Sequence, residues 1–423
     1  MREIVVIAHR LRTAITGLNT VVAALDVDLR TRGTVVRFAH TLEQTILFGR
    51  AASTSGARPL VAWSCYSTDA PRTLTEFARA RSALEHTGAL HVIGGVHATS
   101  APEAMLDAGF GLVVLGEGEA TFVELVARLA AGQPYDDLAG TARLEHGRFV
   151  RNARGPRRPL DDFPSFHFER GPWSAIEITR GCAFACAFCQ TPFAFGARFR
   201  HRSVPSVQEH VRAMRGANGV RYVRFLSPTA FSYGSADEKV ELGQIEALLA
   251  AAREAAGRDA RLFFGTFPSE VRPEHVSAQV LAILARHADN RTLVIGGQSG
   301  SESVLASMHR GHGVEAIVRA VRIARENAFV PDVDFLFGLP GEALEDRHAS
   351  LRLAHELIGL GARIHAHSFL PLPGTPLRDA APETIEPEIA AELARLESSG
   401  ALHGQWRAQI VRGQALALQR GTP

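Results

Sequence analysis

The sequence predicts an α/β protein that contains two successive parallel-sheet domains, and two observations lead to this prediction. Over the first third of the 423 residues, short apolar runs alternate with helix-like segments. After a stretch rich in Pro, Gly and charged residues, six more strand-like runs alternate with helical patterns. Such alternation indicates βαβ units, in which helices cover a parallel sheet.

The first domain is predicted over residues 1–136 and is interpreted as Rossmann-like. Helical patterns cover 73–85 and 101–108 between its strands. Ligands of such sheets bind beyond the carboxyl ends of the strands, and three of the predicted strands end in loops containing Ser, Gly or His. The five predicted strands cover 4–8, 35–38, 60–64, 90–93 and 112–115.

A connection is predicted over residues 137–170. A hairpin is predicted within it, with strands at 141–144 and 148–150 and a turn at 145–147. The Pro, Gly and charged residues that follow the hairpin are typical of a domain boundary.

The second domain is predicted over residues 171–380, as a partial (β/α)6 relative of the TIM barrel. Catalytic residues of such barrels lie at the carboxyl ends of the strands. A helical C-terminal tail, 381–423, follows with breaks at Gly400 and Gly404. The predicted strands cover 175–179, 222–226, 262–265, 293–296, 334–337 and 364–369. The predicted helices cover 204–215, 239–256, 276–287, 314–327 and 344–360.

Composition bounds the partners and the location. The net charge is +2, so composition gives no electrostatic reason to expect nucleic acid as a partner. No apolar run reaches the roughly 18 residues of a transmembrane helix, and the start of the chain turns polar too quickly for a signal peptide. With four cysteines in the chain, we expect a reducing, cytoplasmic location.

Three of the four cysteines form one tight group, Cys182-x3-Cys186-x2-Cys189, directly after a predicted strand. In a chain poor in cysteine, this spacing favours a metal site over disulfides. Structural zinc takes four ligands, and no second pair of Cys or His ligands lies nearby in the sequence. Three thiolates leave one corner of a four-iron–four-sulfur cluster open, although a structural zinc loop remains an alternative.

This spacing, with the aromatic residue Phe188 just before the last cysteine, resembles that of the radical S-adenosylmethionine (SAM) enzymes. The resemblance implies that Cys182, Cys186 and Cys189 hold a 4Fe-4S cluster, whose open iron chelates the amino and carboxylate groups of SAM. It also implies that the reduced cluster cleaves SAM to methionine and a 5′-deoxyadenosyl radical. An external electron donor such as flavodoxin or ferredoxin is then expected.

The same resemblance assigns six candidate SAM contacts. Phe188 is expected to pack near the adenine, and Gln190 and Thr191 to bond the methionyl end. Gln298 and Ser299, after the fourth barrel strand, are expected to face the ribose. Arg310, in the sequence His309-Arg-Gly-His, is expected to pair with the SAM carboxylate, for which a guanidinium fork is well suited.

Three loops of the first domain resemble those of the cobalamin-binding domain found at the front of many radical SAM proteins. The loop 8–12 departs from the Asp-x-His-x-x-Gly motif of base-displacing cobalamin proteins, so the lower axial ligand stays open. His9 is a possible ligand there, although loop histidines are more often solvated. Cys65 is interpreted first as a small buried side chain. The candidate cobalamin contacts are Ser64, Cys65, Gly94, Gly95, His97, Gly116 and Glu117.

The leading hypothesis is cobalamin-dependent methyl transfer to an unactivated carbon of an unknown small-molecule or peptide substrate. Residues 265–273 and 297–301 resemble an uncharacterised archaeal and bacterial subgroup of these proteins. A second hypothesis keeps the cluster but replaces methyl transfer by rearrangement, cyclisation or sulfur insertion. A third, a cluster-based regulator, lacks support from any helix-turn-helix pattern or basic stripe in the sequence.

Overall fold

A computed structural model describes residues 3–10, 13–169, 171 and 173–418. Leu11 and Arg12 of the first predicted loop, and Gln419 and Arg420 of the predicted tail, lie outside the described residues. The chain divides into two compact units, Met1–Ser174 and Ala175–Pro423. The four-part division expected from the sequence remains a proposal.

The first unit is built on one seven-stranded sheet. Its order is β2-β1-β3-β4-β5-β6-β7, parallel through β5 and antiparallel at β6 and β7. The five predicted parallel strands are confirmed to within two residues, and the predicted hairpin extends the same sheet at its β5 edge. The strands are β1 (Ile4–His9), β2 (Val35–Ala39), β3 (Arg58–Ser64), β4 (Leu90–Gly94), β5 (Leu112–Val114), β6 (Thr141–Glu145) and β7 (Arg148–Arg151).

Helices cover both faces of this sheet. Val5 and Ile7 of β1 join one apolar core, whereas Ile4, Val6 and Ala8 join the other. Because neighbouring strand residues point to opposite faces, a parallel strand buried on both sides reads as a continuous apolar run. The helices are α1 (Ile15–Ala23), α2 (Leu42–Thr54), α3 (Ala70–Ala83), α4 (Val96–Ser100), α5 (Pro102–Asp107) and α6 (Glu119–Ala131).

The second unit contains two parallel sheets, with orders β12-β11-β8 and β13-β14-β15-β16, and a short antiparallel ribbon of β9 and β10. Between the two parallel sheets, Val294 N donates to Gly265 O at 2.9 Å, and Val271 bridges to Ile295. Closure into a partial barrel remains a prediction. The strands are β8 (Ile176–Glu177), β9 (Thr179–Arg180), β10 (Arg200–His201), β11 (Tyr222–Leu226), β12 (Arg261–Phe263), β13 (Thr292–Gln298), β14 (Val330–Phe337), β15 (Arg363–Ser368) and β16 (Leu402–Gly404).

Helices separate the strands of the second unit, as the sequence pattern predicts. Each of the five predicted helices is present, with ends shifted by three residues or fewer. The helices are α7 (Thr191–Phe195), α8 (Val204–Asn218), α9 (Leu242–Ala256), α10 (Ala278–His287), α11 (Glu302–Ser307), α12 (Val314–Glu326), α13 (Leu344–Gly359), α14 (Pro387–Ser398) and α15 (Trp406–Leu418).

Two predictions for this unit were wrong in detail. The predicted strand 175–179 is split, because Thr179 and Arg180 pair antiparallel with β10 while Ile176 and Glu177 pair with β11. The tail, predicted as mostly helical, also contributes the three-residue strand β16, which pairs parallel with β15. Such short strands carry no readable periodicity and form through their partner strand. Within the described part of the chain, no helix combines the length and the apolar character needed to cross a membrane.

Candidate functional site

The loop 181–191, here named the thiol loop, follows β9 and carries three free cysteines. Gly181 has a φ of +80°, in the region that favours glycine, and begins the sharp turn. The loop is then held by main-chain bonds, from Cys182 N to Gly196 O and from Cys189 N to Cys186 O, both at 3.1 Å. The backbone therefore brings the three cysteines into one short, folded segment.

The three thiols interact with one another. Burial, with the neighbouring Cys189 and Cys186, raises the pKa of Cys182 to about 11. Burial likewise raises the pKa of the Cys189 thiol, while the hydroxyl and the main chain of Thr191 lower it. Without a metal ion, Cys182 and Cys189 hold their protons at neutral pH, so that binding of iron or zinc must displace them.

Two buried guanidinium groups lie beside Cys186. Arg310 Nη1 donates to Cys186 Sγ at 3.2 Å, and Arg310 Nη2 donates to Gly296 O at 2.7 Å. Arg272 Nη1 lies 4.0 Å from the same sulfur, and Arg272 also donates to the carbonyl oxygen of Arg310. The two guanidinium groups thus place permanent positive charge beside the central sulfur of the thiol loop.

Aromatic rings line the thiol loop. The Arg272 guanidinium lies 3.6 Å from the centroid of Phe184, and that of Arg310 lies 5.9 Å from the centroid of Phe188. Phe188 also packs against an apolar cluster that includes Met308. Each guanidinium group thus has an aromatic ring beside it, which limits its hydration.

Gln190 and Thr191 are fixed close to the cysteines. Gln190 Nε2 donates to Pro373 O at 2.7 Å, which connects the thiol loop to the loop after β15. Thr191 is the first residue of α7 and contacts the Cys189 thiol. Both residues therefore lie beside the cysteines, and their roles toward SAM remain a prediction.

Of the two candidate SAM contacts at the end of β13, Gln298 lies near Arg310, whereas the recorded hydrogen-bond partners of Ser299 lie elsewhere. Gln298 has a φ of +79° after a bulge in the strand. Its amide nitrogen and Arg310 Nη2 both lie near Gly296, 3.1 and 3.2 Å from where a Cβ on that glycine would stand. Ser299, by contrast, is fully buried, and its recorded partners are the Ser350 hydroxyl at 3.2 Å and the amide of Ser301.

In the first unit, the loops 64–67, 94–97 and 116–119, here named the glycine loops, follow β3, β4 and β5. Gly95 has φ +92° and ψ 179°. A Cβ on Gly95 would lie 2.8 Å from Ser64 Oγ and 3.2 Å from Cys65 O. Gly94 pairs with Ser64 in the sheet. The structure therefore brings Ser64, Cys65, Gly94 and Gly95 together.

The other members of the glycine loops are held by hydroxyl groups and charge. The His97 ring lies 3.1 Å from Ser67 Oγ, and Gly116 N donates to Thr99 Oγ1 at 2.9 Å. Glu117 lies 4.0 Å from Arg157. Burial raises the pKa of Cys65 to about 12, which fits the interpretation of Cys65 as a small buried side chain.

The expectation that His9 is solvated was wrong. His9 is the last residue of β1 and is only 2% exposed, because its ring packs 4.1 Å from that of Trp63. One ring nitrogen lies 2.8 Å from Thr45 Oγ1 and the other lies 2.8 Å from Glu76 Oε2. Cobalt ligation by His9 would have to replace one of these hydrogen bonds.

Sequence reasoning missed two groups of residues. Arg272 lies in the segment 265–273. The resemblance of this segment to an uncharacterised subgroup did not mark the arginine as a site residue. Asp334, His365 and His367 come together only through the pairing of β14 with β15. Burial and the neighbouring Asp334 raise the pKa of Glu270 to about 7, so this carboxyl also belongs to the second group.

Comparison with known proteins bears on this geometry. Residues 176–354 match the family model described as the radical SAM superfamily. The chain is 28% identical over 282 residues to the uncharacterized methyltransferase PH0819 of Pyrococcus horikoshii, covering 63% of this chain and 58% of that protein. It is 31% identical over 244 residues to the tRNA-2-methylthio-N(6)-dimethylallyladenosine synthase of Magnetococcus marinus, covering 56% and 53%.

The chain thus spans little more than half the length of these curated relatives. Among solved structures it resembles TsrM from Kitasatospora setae, a radical S-adenosylmethionine methyltransferase with cobalamin and a [4Fe-4S] cluster bound. The TM-score is 0.70 at 19% identity, covering 90% of this chain and 78% of TsrM. At this identity the likeness establishes the fold. The thiol loop with its three clustered thiols lies inside the region, residues 176–354, that matches the radical SAM superfamily model.

Proposed function

We propose that this protein is a cobalamin-dependent radical SAM methyltransferase that acts on an unactivated carbon of its substrate. The observation that carries the proposal is the arrangement around Cys186. Three mutually interacting thiols in one folded loop meet a guanidinium group 3.2 Å from the central sulfur. This arrangement lies within the matched radical SAM region.

The donor set fits a cluster with one open iron. Three thiols from Cys182, Cys186 and Cys189 suit iron and sulfide, and none of them is engaged in a disulfide. In the superfamily, such a cluster supplies the electron that cleaves SAM to methionine and a 5′-deoxyadenosyl radical. Arg310 is proposed to bind the SAM carboxylate, since its guanidinium is held beside the thiols by Gly296 O.

The glycine loops fit a large flat cofactor. Gly95 adopts a backbone conformation that is essentially restricted to glycine, and no Cβ projects from Gly94, Gly95 or Gly116. At Gly116 no described atom lies within 4 Å of where a Cβ would stand, so a cofactor is able to approach the main chain closely there. The methyltransferase TsrM, whose fold this chain shares, was solved with cobalamin bound. Cobalamin would supply the methyl group, and Ser64, Cys65, His97 and Glu117 are proposed to contact it.

A second candidate function is sulfur insertion, which is favoured by the likeness to a methylthio synthase. The two functions differ in the atoms that they add to the substrate, because methyl transfer adds carbon and hydrogen alone, whereas sulfur insertion also adds sulfur. An external one-electron donor such as flavodoxin or ferredoxin is proposed for either function. A reducing cytoplasm is the proposed location.

The proposal is tested by anaerobic reconstitution of the full chain with iron, sulfide and hydroxocobalamin, followed by desalting. One cobalt per chain beside a cluster absorption band supports the proposal. A cluster band without cobalt contradicts the cobalamin assignment and favours the second candidate. Mass spectrometry of the modified substrate then separates methyl transfer from sulfur insertion, because only the second adds the mass of sulfur.

A further inference from the structure

Three metal-ligating atoms converge on neighbouring strands of the second unit. The His365 Nδ1 atom lies 2.9 Å from Asp334 Oδ1 and 3.2 Å from His367 Nε2. The His367 Nε2 atom lies 3.9 Å from Asp334 Oδ1. A metal ion bonded to three such atoms at about 2.0–2.1 Å in tetrahedral geometry holds them about 3.4 Å apart. The observed triangle therefore has the size of a coordination site.

The sheet register creates this triangle. Asp334 on β14 pairs with His365 on β15, so their side chains emerge on one face. His367 is two residues further along β15 and emerges on the same face, since side chains alternate along a strand. Gln409 holds the second ring, because its Nε2 lies 3.3 Å from His367 Nδ1 while its Oε1 accepts from Ser368 N at 2.9 Å.

The charges around this triangle differ from those around the next acid on the same strand. Asp332 pairs with Arg363 at 3.2 Å and with His403 at 2.9 Å. In the described part of the chain, the ion-pair partners recorded for Asp334 within 4.0 Å are the two imidazoles. Glu270 adds a second carboxylate that interacts with Asp334. A carboxylate that pairs with imidazoles, and has a second carboxylate beside it, favours binding of a metal cation.

The triangle shares its face of the sheet with Arg310, the arginine that donates to Cys186. Gly296 on β13 pairs with Asp334, so a side chain at position 296 would stand beside the carboxylate. That place is taken by Arg310, whose Nη2 lies 3.2 Å from the position of such a Cβ. The triangle is thus one strand away from the residue proposed to hold the SAM carboxylate.

We propose that Asp334, His365 and His367 bind a divalent metal ion, zinc or iron(II), as a second metal site in this unit. Two imidazoles and one carboxylate form a donor set that suits both ions and leaves further coordination positions open. Metal binding at His367 Nε2 requires an unprotonated nitrogen there and places the ring proton on Nδ1.

The open positions identify a class of substrate, and this part of the inference rests on the proposed function. A ligand group on the substrate, such as a carboxylate or hydroxyl oxygen, would complete the coordination sphere. The metal ion would then hold the substrate on the same face as Arg310, without taking part in SAM cleavage itself. We therefore expect a substrate that carries an anionic or chelating oxygen group.

Zinc analysis of the full chain tests the site without depending on any activity. Cluster-loaded protein is equilibrated with zinc, desalted, and analysed by mass spectrometry for zinc per chain. Wild type is expected to retain about one zinc. His367→Gln and Asp334→Asn should weaken zinc binding by more than about 100-fold, because even changes around the ligands cost about 10–100-fold. The control His355→Gln, at an exposed His that pairs with Glu392, should retain zinc.

X-ray absorption at the zinc edge locates the ion. Nitrogen and oxygen neighbours at about 2.0–2.1 Å support the site, whereas sulfur neighbours at about 2.3 Å place zinc on the cysteines and overturn it. Equal zinc uptake by wild type and His367→Gln also overturns it. A Cys186→Ala variant should still take up zinc at the triangle, so failure of the radical SAM proposal and failure of this inference give different results.

Discussion

The thiol loop and the glycine loops, the two proposed cofactor sites, differ in the kind of atoms that form them. Around Cys186 lie reactive and charged groups, including the guanidinium of Arg310 at 3.2 Å. Around Gly95 lies tightly packed main chain, with Ser64 Oγ at 2.8 Å from where a Cβ would stand. The thiol loop depends on the side chains that it carries, whereas the glycine loops depend on having no side chain at their glycines. Substitutions should therefore damage the first by removing atoms and the second by adding them.

The largest effect is expected from the central cysteine. Cys186→Ala leaves two thiols, which cannot hold three corners of a cluster, so reductive SAM cleavage should fall by more than about 1,000-fold. The measurement is 5′-deoxyadenosine formed under dithionite. Cys65→Ala is the matched control, because Cys65 is buried in the first unit and should keep full cleavage. Undiminished cleavage by metal-loaded Cys186→Ala would falsify the cluster assignment.

Arg310 should give the next largest effect. Arg310→Gln removes the proposed charged partner of the SAM carboxylate, so the Kd for SAM should rise by about 10–100-fold, as for a charge-assisted hydrogen bond. Anaerobic calorimetry on cluster-loaded protein measures this change. The control Arg224→Gln removes a cation that stacks on Phe263 instead, and should leave the Kd unchanged. An unchanged Kd in Arg310→Gln at normal iron content would rule out this role.

The glycine loops should respond to a single added methyl group. Gly95→Ala adds both backbone strain and a clash with Ser64, so cobalamin retention should fall by about 10-fold and the free energy of unfolding by about 1–3 kcal/mol. Gly88→Ala is the control, because it also has a positive φ but has open space around its Cβ position.

Cobalt content after desalting and urea unfolding give the two readouts for these glycine variants. Adding Ser64→Ala to Gly95→Ala should recover part of the stability, since it removes the clashing oxygen. Equal cobalt retention in Gly95→Ala and Gly88→Ala would show that close approach at Gly95 is not needed.

The smallest effect concerns Glu342, in the loop after β14. Burial raises its pKa to about 7, although it accepts hydrogen bonds from Gly338 N and Leu339 N. Because the folded chain keeps this proton after the unfolded chain loses it, Glu342 makes stability fall as pH rises through about 4.5 to 7. The slope is at most about 1.4 kcal/mol per pH unit. Glu342→Gln should flatten the fall, measured by urea unfolding at several pH values.

The two regions also differ in how far the sequence predicts them. The thiols lie within eight residues, so their spacing alone indicates a metal site. Arg310 is 124 residues from Cys186 and was found only through resemblance. Arg272 was missed because nothing in its local pattern marks a buried guanidinium. Alternation of apolar runs predicts the strands, but it does not tell that Asp334 pairs with His365, since register depends on the folded sheet.

Finer details of the fold escaped prediction for physical reasons. Gly265, with a φ of +74°, ends β12 earlier than its apolar run suggests. The strand β16 is three residues long and forms against β15, so no period is visible in the sequence. His9 was expected to be solvated, but packing against Trp63 buries it at the end of β1. In each case tertiary contacts override the local pattern.

The contacts of the thiol loop also bear on when, during synthesis of the chain, the loop can reach its final structure. The cysteines at 182–189 leave the ribosome long before Arg310. The acceptor of the Gln190 amide, Pro373 O, is synthesised 183 residues after Gln190. Ala187 N likewise depends on Met308 O. Until that downstream chain has been made, the three thiols lack the partners that shape their loop. Iron–sulfur delivery to this protein therefore belongs after translation of the second unit, and nascent chains stalled before residue 373 should be poor acceptors of a cluster.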